Sequence, residues 1–181
     1  MNQEVKMKPS YLKIAFLDRA GTIIKDYPDE KWREIKEPEF LEGSIEGLKR
    51  LKEMGYDFII ITNQYLINDG IISLNDYQQF TGKFLKKLKE ENIDILKIYF
   101  CPHNEKDHCH CKKPKPGMIE QAKKDFLIDM NNSIYIGDSH VDYLLAKHFN
   151  LTFYGINYHD DNVKSYHSIL DISKQIKKDS K

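Results

Sequence analysis

Apolar residues fall in short runs separated by charged and turn-forming stretches. Leu12 to Leu17 (LKIAFL), Tyr56 to Ile61 (YDFIII), Ile95 to Phe100, Ser133 to Ile136 (SIYI) and Leu151 to Ile156 are such runs. Their short length and their β-branched and aromatic content predict buried strands. Between them the spacing changes to that of helices. Ile45, Leu48 and Leu51 share one face of a helix over 44–54, with Ser44 as a candidate N-cap and Gly55 as the stop. Leu74, Tyr77, Phe80, Phe84 and Leu88 form the stripe of a longer helix opened by Ser73, where Asp76 three residues on completes a capping box. Helices are also predicted over 117–126, with Pro116 near its start, over 141–149, and from about Val163 onward. Strands alternating with helices predict the α/β class, one parallel sheet with helices on both faces, in a single domain over 1–181. Residues 1–10 and 175–181 read as flexible tails.

The composition narrows the partners. Lys plus Arg is 28 and Asp plus Glu is 28, so the net charge is zero, which argues against nucleic acid. No apolar run approaches the roughly 18 residues of a membrane span, and the first segment lacks a signal-peptide core. The expectation is a cytoplasmic monomer with no membrane partner. All three cysteines, Cys101, Cys109 and Cys111, lie in one loop over 101–117. An odd, clustered set with no export signal points to metal rather than to disulfides.

Polar residues collect where strands end. In a parallel sheet, ligands bind beyond the carboxyl ends of the strands. Asp18 follows the first predicted strand, Thr62 and Asn63 the second, the Cys/Lys loop the third and Asp138 the fourth. In FLDRAGTI (16–23), a carboxylate at a strand tip can hold Mg²⁺ or attack phosphorus, and Gly21 permits a tight turn. A turn-capping aspartate gives the same string. Thr62 and Asn63 can donate to phosphate oxygens, although both are also common turn residues. In GDSHVD, Asp138 and Asp142 lie one helical turn apart and suit a hard cation; Asp142 equally suits a helix N-terminus. Cys101-Pro-His103 and Cys109-His-Cys111, five residues apart, offer three thiolates and an imidazole. That set makes a closed, structural zinc site, with His108 or His110 as substitutes for His103. Lys112 and Lys113 adjoin Cys111 and could neutralise phosphate charge, whereas Lys115 sits in a solvated basic run.

Taken together, FLDRAGT, TNQ, CPH…CHCKKPKPGM and GDSHVD resemble the haloacid dehalogenase-like (HAD) phosphohydrolases. The resemblance runs from about Lys13 to Ile156. It is strongest to their zinc-loop, capless group, which contains heptose bisphosphate and histidinol-phosphate phosphatases. PKPGM looks like the heptose enzymes; the five-residue gap looks like the histidinol enzymes. The resemblance implies that Asp18 is a nucleophile forming an aspartyl-phosphate. It implies that Asp18, Asp138 and the backbone carbonyl of Ala20 hold Mg²⁺, with Asp142 as a further candidate. Thr62 and Asn63 would bind the phosphoryl group, Lys113 would orient the nucleophile, and Lys112 would help choose the substrate. Cys101, His103, Cys109 and Cys111 would hold Zn²⁺.

One departure matters most. The family pattern is D-x-D-G-T, and here Ala20 stands at the position of the second aspartate, the general acid and base. Tyr65, Leu66, Asp69 and Lys112 depart as well. The expected function is hydrolysis of a small phosphorylated metabolite, heptose 1,7-bisphosphate first and histidinol phosphate second, with turnover impaired. A catalytically silent binder of a phospho-ligand, or a partner protein, is the rival.

Overall fold

In a computed structural model, which describes residues 10–179, the buried runs become the strands of one parallel sheet. They are β1 (Ile14–Leu17), β2 (Asp57–Asn63), β3 (Ile95–Cys101), β4 (Ile134–Gly137), β5 (Thr152–Ile156) and β6 (Ser165–Tyr166). The order is β3-β2-β1-β4-β5-β6. Four helices connect them, α1 (Ser44–Glu53), α2 (Leu74–Glu90), α3 (Gly117–Asp125) and α4 (His140–His148), and α5 (Ile169–Asp179) follows β6. β1 lies at the centre and all four of its residues are buried. Alternate side chains feed opposite cores, as the period-2 pleat requires. Ala15 and Leu17 pack with Leu48, Phe84 and Ile172, while Ile14 and Phe16 pack with Ile119, Tyr135 and Leu145. Helices therefore cover both faces of a doubly wound sheet, as the sequence predicts. Between β1 and α1 there is no inserted domain, only a single 3₁₀ turn over Asp29–Lys31.

Local details refine the expectations. The Ser73–Asp76 capping box forms, with the Asp76 N–H donating to Ser73 Oγ at 3.0 Å and the Ser73 N–H to Asp76 Oδ2 at 3.0 Å. Leu74 lies outside the stripe and is exposed, and the buried face of α2 starts at Tyr77. Ser44 is not the cap of α1. Gly43 occupies that position at φ +74°, and Ser44 is buried as the first helical residue. A Cβ on Gly47 would stand 2.4 Å from the Leu170 backbone nitrogen, so glycine is what lets α1 approach α5.

The end of the chain departs most. Residues 165–166 form β6, paired with Gly155 and Ile156 of β5, instead of helix. The tail expected over 175–181 is corrected as far as Asp179: α5 runs to that residue, because Ile172 and Ile176, one turn apart, are both buried. Residues 1–9 and 180–181, also read as tail, lie outside the described residues.

Candidate active site

The strand order reverses at β1, the place where open α/β sheets bind ligands. There Asp18 follows β1 and Asp138 follows β4. Thr62 and Asn63 are the last residues of β2, paired with Phe100 and Cys101 of β3. Gly21 is indispensable to this junction. It sits at φ +80°, and a Cβ there would stand 2.0 Å from Asp138 Oδ2. Gly137 serves a similar end, since its Cβ would meet Asp142 Cβ at 2.6 Å.

Lys113 is the hub. Its ammonium donates to Asp18 Oδ1 at 2.7 Å, Asp142 Oδ1 at 2.7 Å and the Ile61 carbonyl at 2.8 Å. All three donors of the ammonium are thus used. Asn63 clamps the Lys113 backbone from both sides: the Lys113 N–H donates to Asn63 Oδ1 at 2.9 Å, and Asn63 Nδ2 donates to the Lys113 carbonyl at 3.3 Å. The Asn63 amide, expected to meet phosphate, is engaged in positioning the lysine. Asp142 is equally engaged. Tyr135 donates to its Oδ1 at 2.9 Å and Ser139 to its Oδ2 at 2.5 Å.

Electrostatics follow from this crowding. Burial pushes the Asp18 carboxyl up, against the pull of Lys113. Burial, then Asp18 and Asp142, push Asp138 up to about 8. Burial opposes the Lys113 charge, but Asp142 and Asp18 outweigh it and raise its pKa above the ordinary lysine value. Asp18, Asp138 and Asp142 each bring a carboxylate oxygen within 4.8 Å of the others. Crowded hard oxygens with one carboxyl driven towards neutrality fit a divalent cation such as Mg²⁺. With Asp142 already accepting three hydrogen bonds, Asp18 and Asp138 are the freer donors. The adjoining cleft, about 220 Å³, is lined by Asp18, Ala20, Thr62, Lys113 and Asp138, with Asp29, Trp32 and Tyr65 among its walls. Thr62 Oγ1 accepts from Gln64 Nε2 at 2.9 Å.

Beside the cleft, Cys101, His103, Cys109 and Cys111 turn their donor atoms towards one another. Cys101 Sγ lies 3.6 Å from Cys109 Sγ and 3.0 Å from Cys111 Sγ, and His103 Nδ1 lies 3.2 Å from Cys111 Sγ. Zinc with bonds of about 2.3 Å needs tetrahedral edges of roughly 3.8 Å, so the set fits after slight expansion. His110 turns away to Glu120 at 2.8 Å, and His108 is outside the cluster, so His103 is the imidazole brought to the thiols. The two candidate lysines diverge. Lys112 pairs with Glu105 at 2.7 Å and lies 5.0 Å from the centre of the Tyr65 ring, outside the cleft lining. Lys115 bonds the Cys109 carbonyl. Tyr135, Ser139 and the Tyr65–Asp29 hydrogen bond at 2.9 Å were not singled out by sequence. Ser139 carried a signal inside GDSHVD, and Tyr65 carried one as a departure from the family pattern, whereas Tyr135 and Asp29 carried none.

A parallel sheet with carboxylates at two neighbouring strand tips and a lysine held against them defines a HAD-like phosphohydrolase. The chain belongs to the family described as "Polynucleotide kinase 3 phosphatase", which matches residues 13–171. It is 42% identical over 144 residues to the D-glycero-alpha-D-manno-heptose-1,7-bisphosphate 7-phosphatase of Photorhabdus laumondii, covering 75% of this chain and 77% of that protein. It is 40% identical over 141 residues to the D-glycero-beta-D-manno-heptose-1,7-bisphosphate 7-phosphatase of Pasteurella multocida, covering 75% and 76%. The fold is similar to that of the D,D-heptose 1,7-bisphosphate phosphatase of B. bronchiseptica, solved with magnesium and phosphate. The TM-score is 0.81 at 20% identity, covering 93% of this chain and 99% of that one.

Proposed function

We propose that this chain is a Mg²⁺-dependent phosphoric monoester hydrolase acting on a small phosphorylated sugar, heptose 1,7-bisphosphate, through an aspartyl-phosphate on Asp18. The observation that carries the reading is the Lys113 ammonium shared by Asp18 and Asp142 at 2.7 Å each, at the edge of a cleft that Asp138 also lines. The names of the relatives support the substrate. Asp18, Asp138 and the Ala20 carbonyl would hold Mg²⁺, which when bound supplies positive charge to the phosphoryl oxygens. Lys113 holds Asp18 Oδ1 and leaves Oδ2 to attack phosphorus. The bond from phosphorus to the sugar oxygen breaks as the Asp18–phosphorus bond forms, and the departing oxygen takes its proton from solvent water. Water then cleaves the aspartyl-phosphate and releases phosphate. We assign Asp142, with Tyr135 and Ser139, to positioning Lys113 rather than to the metal, and Asn63 to the same task. Thr62 is the group left to meet the phosphoryl oxygens.

Ala20 has no proton to give the departing sugar oxygen and cannot activate water. Turnover in this chain is therefore slow, and Ala20 is also the observation that favours a rival, a silent binder of the phosphorylated sugar. Phosphate release from heptose 1,7-bisphosphate, with histidinol phosphate as comparator, tests the first reading. Asp18→Asn is expected to reduce the slow release to background with the circular dichroism unchanged. Undiminished release would remove Asp18 from the mechanism. Ligand-induced thermal stabilisation with no release from the unaltered chain would favour the binder.

We assign Zn²⁺ to the four-residue cluster, where it would staple the loop that carries Lys113. Purified protein should contain about one equivalent of zinc. Its removal by a chelator should lower Tm and speed hydrogen exchange over 101–113, because structural metal is coupled to folding. A fully folded, zinc-free chain with unchanged exchange in that loop would overturn the assignment.

A further inference from the structure

Arg19 follows the proposed nucleophile and plays no part in the chemistry above. Its side chain turns towards α2, where the guanidinium lies 5.2 Å from the Tyr77 ring centre and 5.4 Å from that of Phe80. The residue is only 2% exposed. Of its five N–H donors, one bond is made, from Nη1 to Thr81 Oγ1 at 3.1 Å. Nε is buried with no hydrogen-bond partner. Among the described residues no carboxylate stands within ion-pair distance of it. Burial outweighs the negative charge of neighbouring Asp18, which favours the cation, and a buried cation with so few partners favours an added anion.

The space for one is present. Arg19, Trp32, Ile72, Tyr77 and Phe80 line a cavity of about 40 Å³. A water needs roughly 10–15 Å³ by this measure, so the cavity takes about three water-sized groups. It reaches the surface at the exposed Lys36, Gln79 and Lys83. The rim lysines are already matched, Lys36 with Asp76 at 3.7 Å and Lys83 with Glu37 at 2.6 Å. Asp76, the one acid in the lining, is further held by Ser73. Among the charged residues of the lining, Arg19 is the one with no ion pair.

We propose that this cavity, which adjoins the phosphoryl cleft and shares Trp32 and Gln64 with it, is a second ligand site that binds a small carboxylate anion on the guanidinium of Arg19. The two oxygens of a carboxylate match that planar fork. Three or four heavy atoms fill the volume, and the aromatic walls accept a short apolar stub. The site does not depend on phosphatase chemistry, so it can be tested without turnover. Trp32, the only tryptophan in the chain, lines the cavity and reports on it.

The test is titration of the full, metal-loaded chain with sodium formate and sodium acetate, read by Trp32 emission and by Tm. Sodium chloride at matched ionic strength is the reference. The expected result is a saturable change absent with chloride, with half-saturation on the order of 1–10 mM given the few atoms in contact. Arg19→Met should abolish it. Ile72→Phe fills the cavity without touching the cation and should weaken it at least about tenfold; this variant decides the matter if Arg19→Met fails to fold. Trp32 also lines the phosphoryl cleft. A response that survives both substitutions therefore puts the anion in that cleft and overturns the proposal. So does a response no different from chloride.

Discussion

Ala20→Asp is expected to raise steady-state phosphate release by about 10²–10⁴-fold, the usual worth of a positioned acid and base. The backbone at this position is already fixed without the side chain's help. The Arg19 carbonyl accepts from the amides of Ile23 at 2.9 Å and Ile24 at 3.1 Å, and the Gly21 N–H donates to the Ile24 carbonyl at 2.7 Å. Ala20 lines the cleft beside Asp18 and Asp138, so a carboxyl placed there faces the reacting groups. It would also join a crowded set in which Asp138 already stands at about 8. Like charges push an added carboxyl up as well, and a raised carboxyl is the one able to protonate a leaving oxygen near neutral pH. The check is release of phosphate with Mg²⁺ from heptose 1,7-bisphosphate by both chains, together with Tm. A large gain at unchanged Tm identifies a phosphatase scaffold lacking one group. No release from either chain sinks the phosphatase reading, and the silent binder takes its place.

The sequence disclosed the parts of this molecule whose signal is local. Runs such as IAFL and FIII are buried on both sheet faces, so they are apolar throughout and read as strands. Asp18 and Asp138 could be placed at strand tips for the same reason. What could not be read depends on partners distant in the chain. Ser165 and Tyr166 are a strand only because β5 offers them an edge. The lysine-rich end hides Ile176, whose burial decides that α5 continues. Asn63 looked like a phosphate donor until Lys113, fifty residues on, proved to occupy both ends of its amide. Tyr135 is indistinguishable in sequence from any strand aromatic, yet its hydroxyl holds Asp142. By local chemistry Lys112 and Lys113 are equivalent neighbours, and only the family resemblance tells them apart, setting Lys113 to orient the nucleophile. The fold sends one to Glu105 and the other into the site.

Lys113→Met should cost the fold about 3–5 kcal/mol at neutral pH, the usual result of removing one partner from a buried ionic cluster. The side chains of Lys113, Asp18 and Asp142 are 3%, 11% and 1% exposed, so solvent does little to screen the loss. Methionine keeps most of the volume, which makes charge the principal change. Two carboxylates that shared one cation are then left facing each other beside Asp138. The pH dependence has a definite sign. Without the ammonium, the folded-state pKa of Asp18, already raised by burial, rises further above its unfolded value. A carboxyl raised in the folded state destabilises once the pH exceeds its unfolded value, and protonation relieves it. The deficit should therefore shrink as the pH falls from 7 towards 4. Urea unfolding of both chains at pH 7 and pH 5 measures it. Asp142→Asn added to Lys113→Met should recover part of the loss, since it removes one of the opposed charges. A deficit below about 1 kcal/mol, the range of exposed pairs, or one indifferent to pH, would mean that Lys113 is not the charge that holds these carboxylates together.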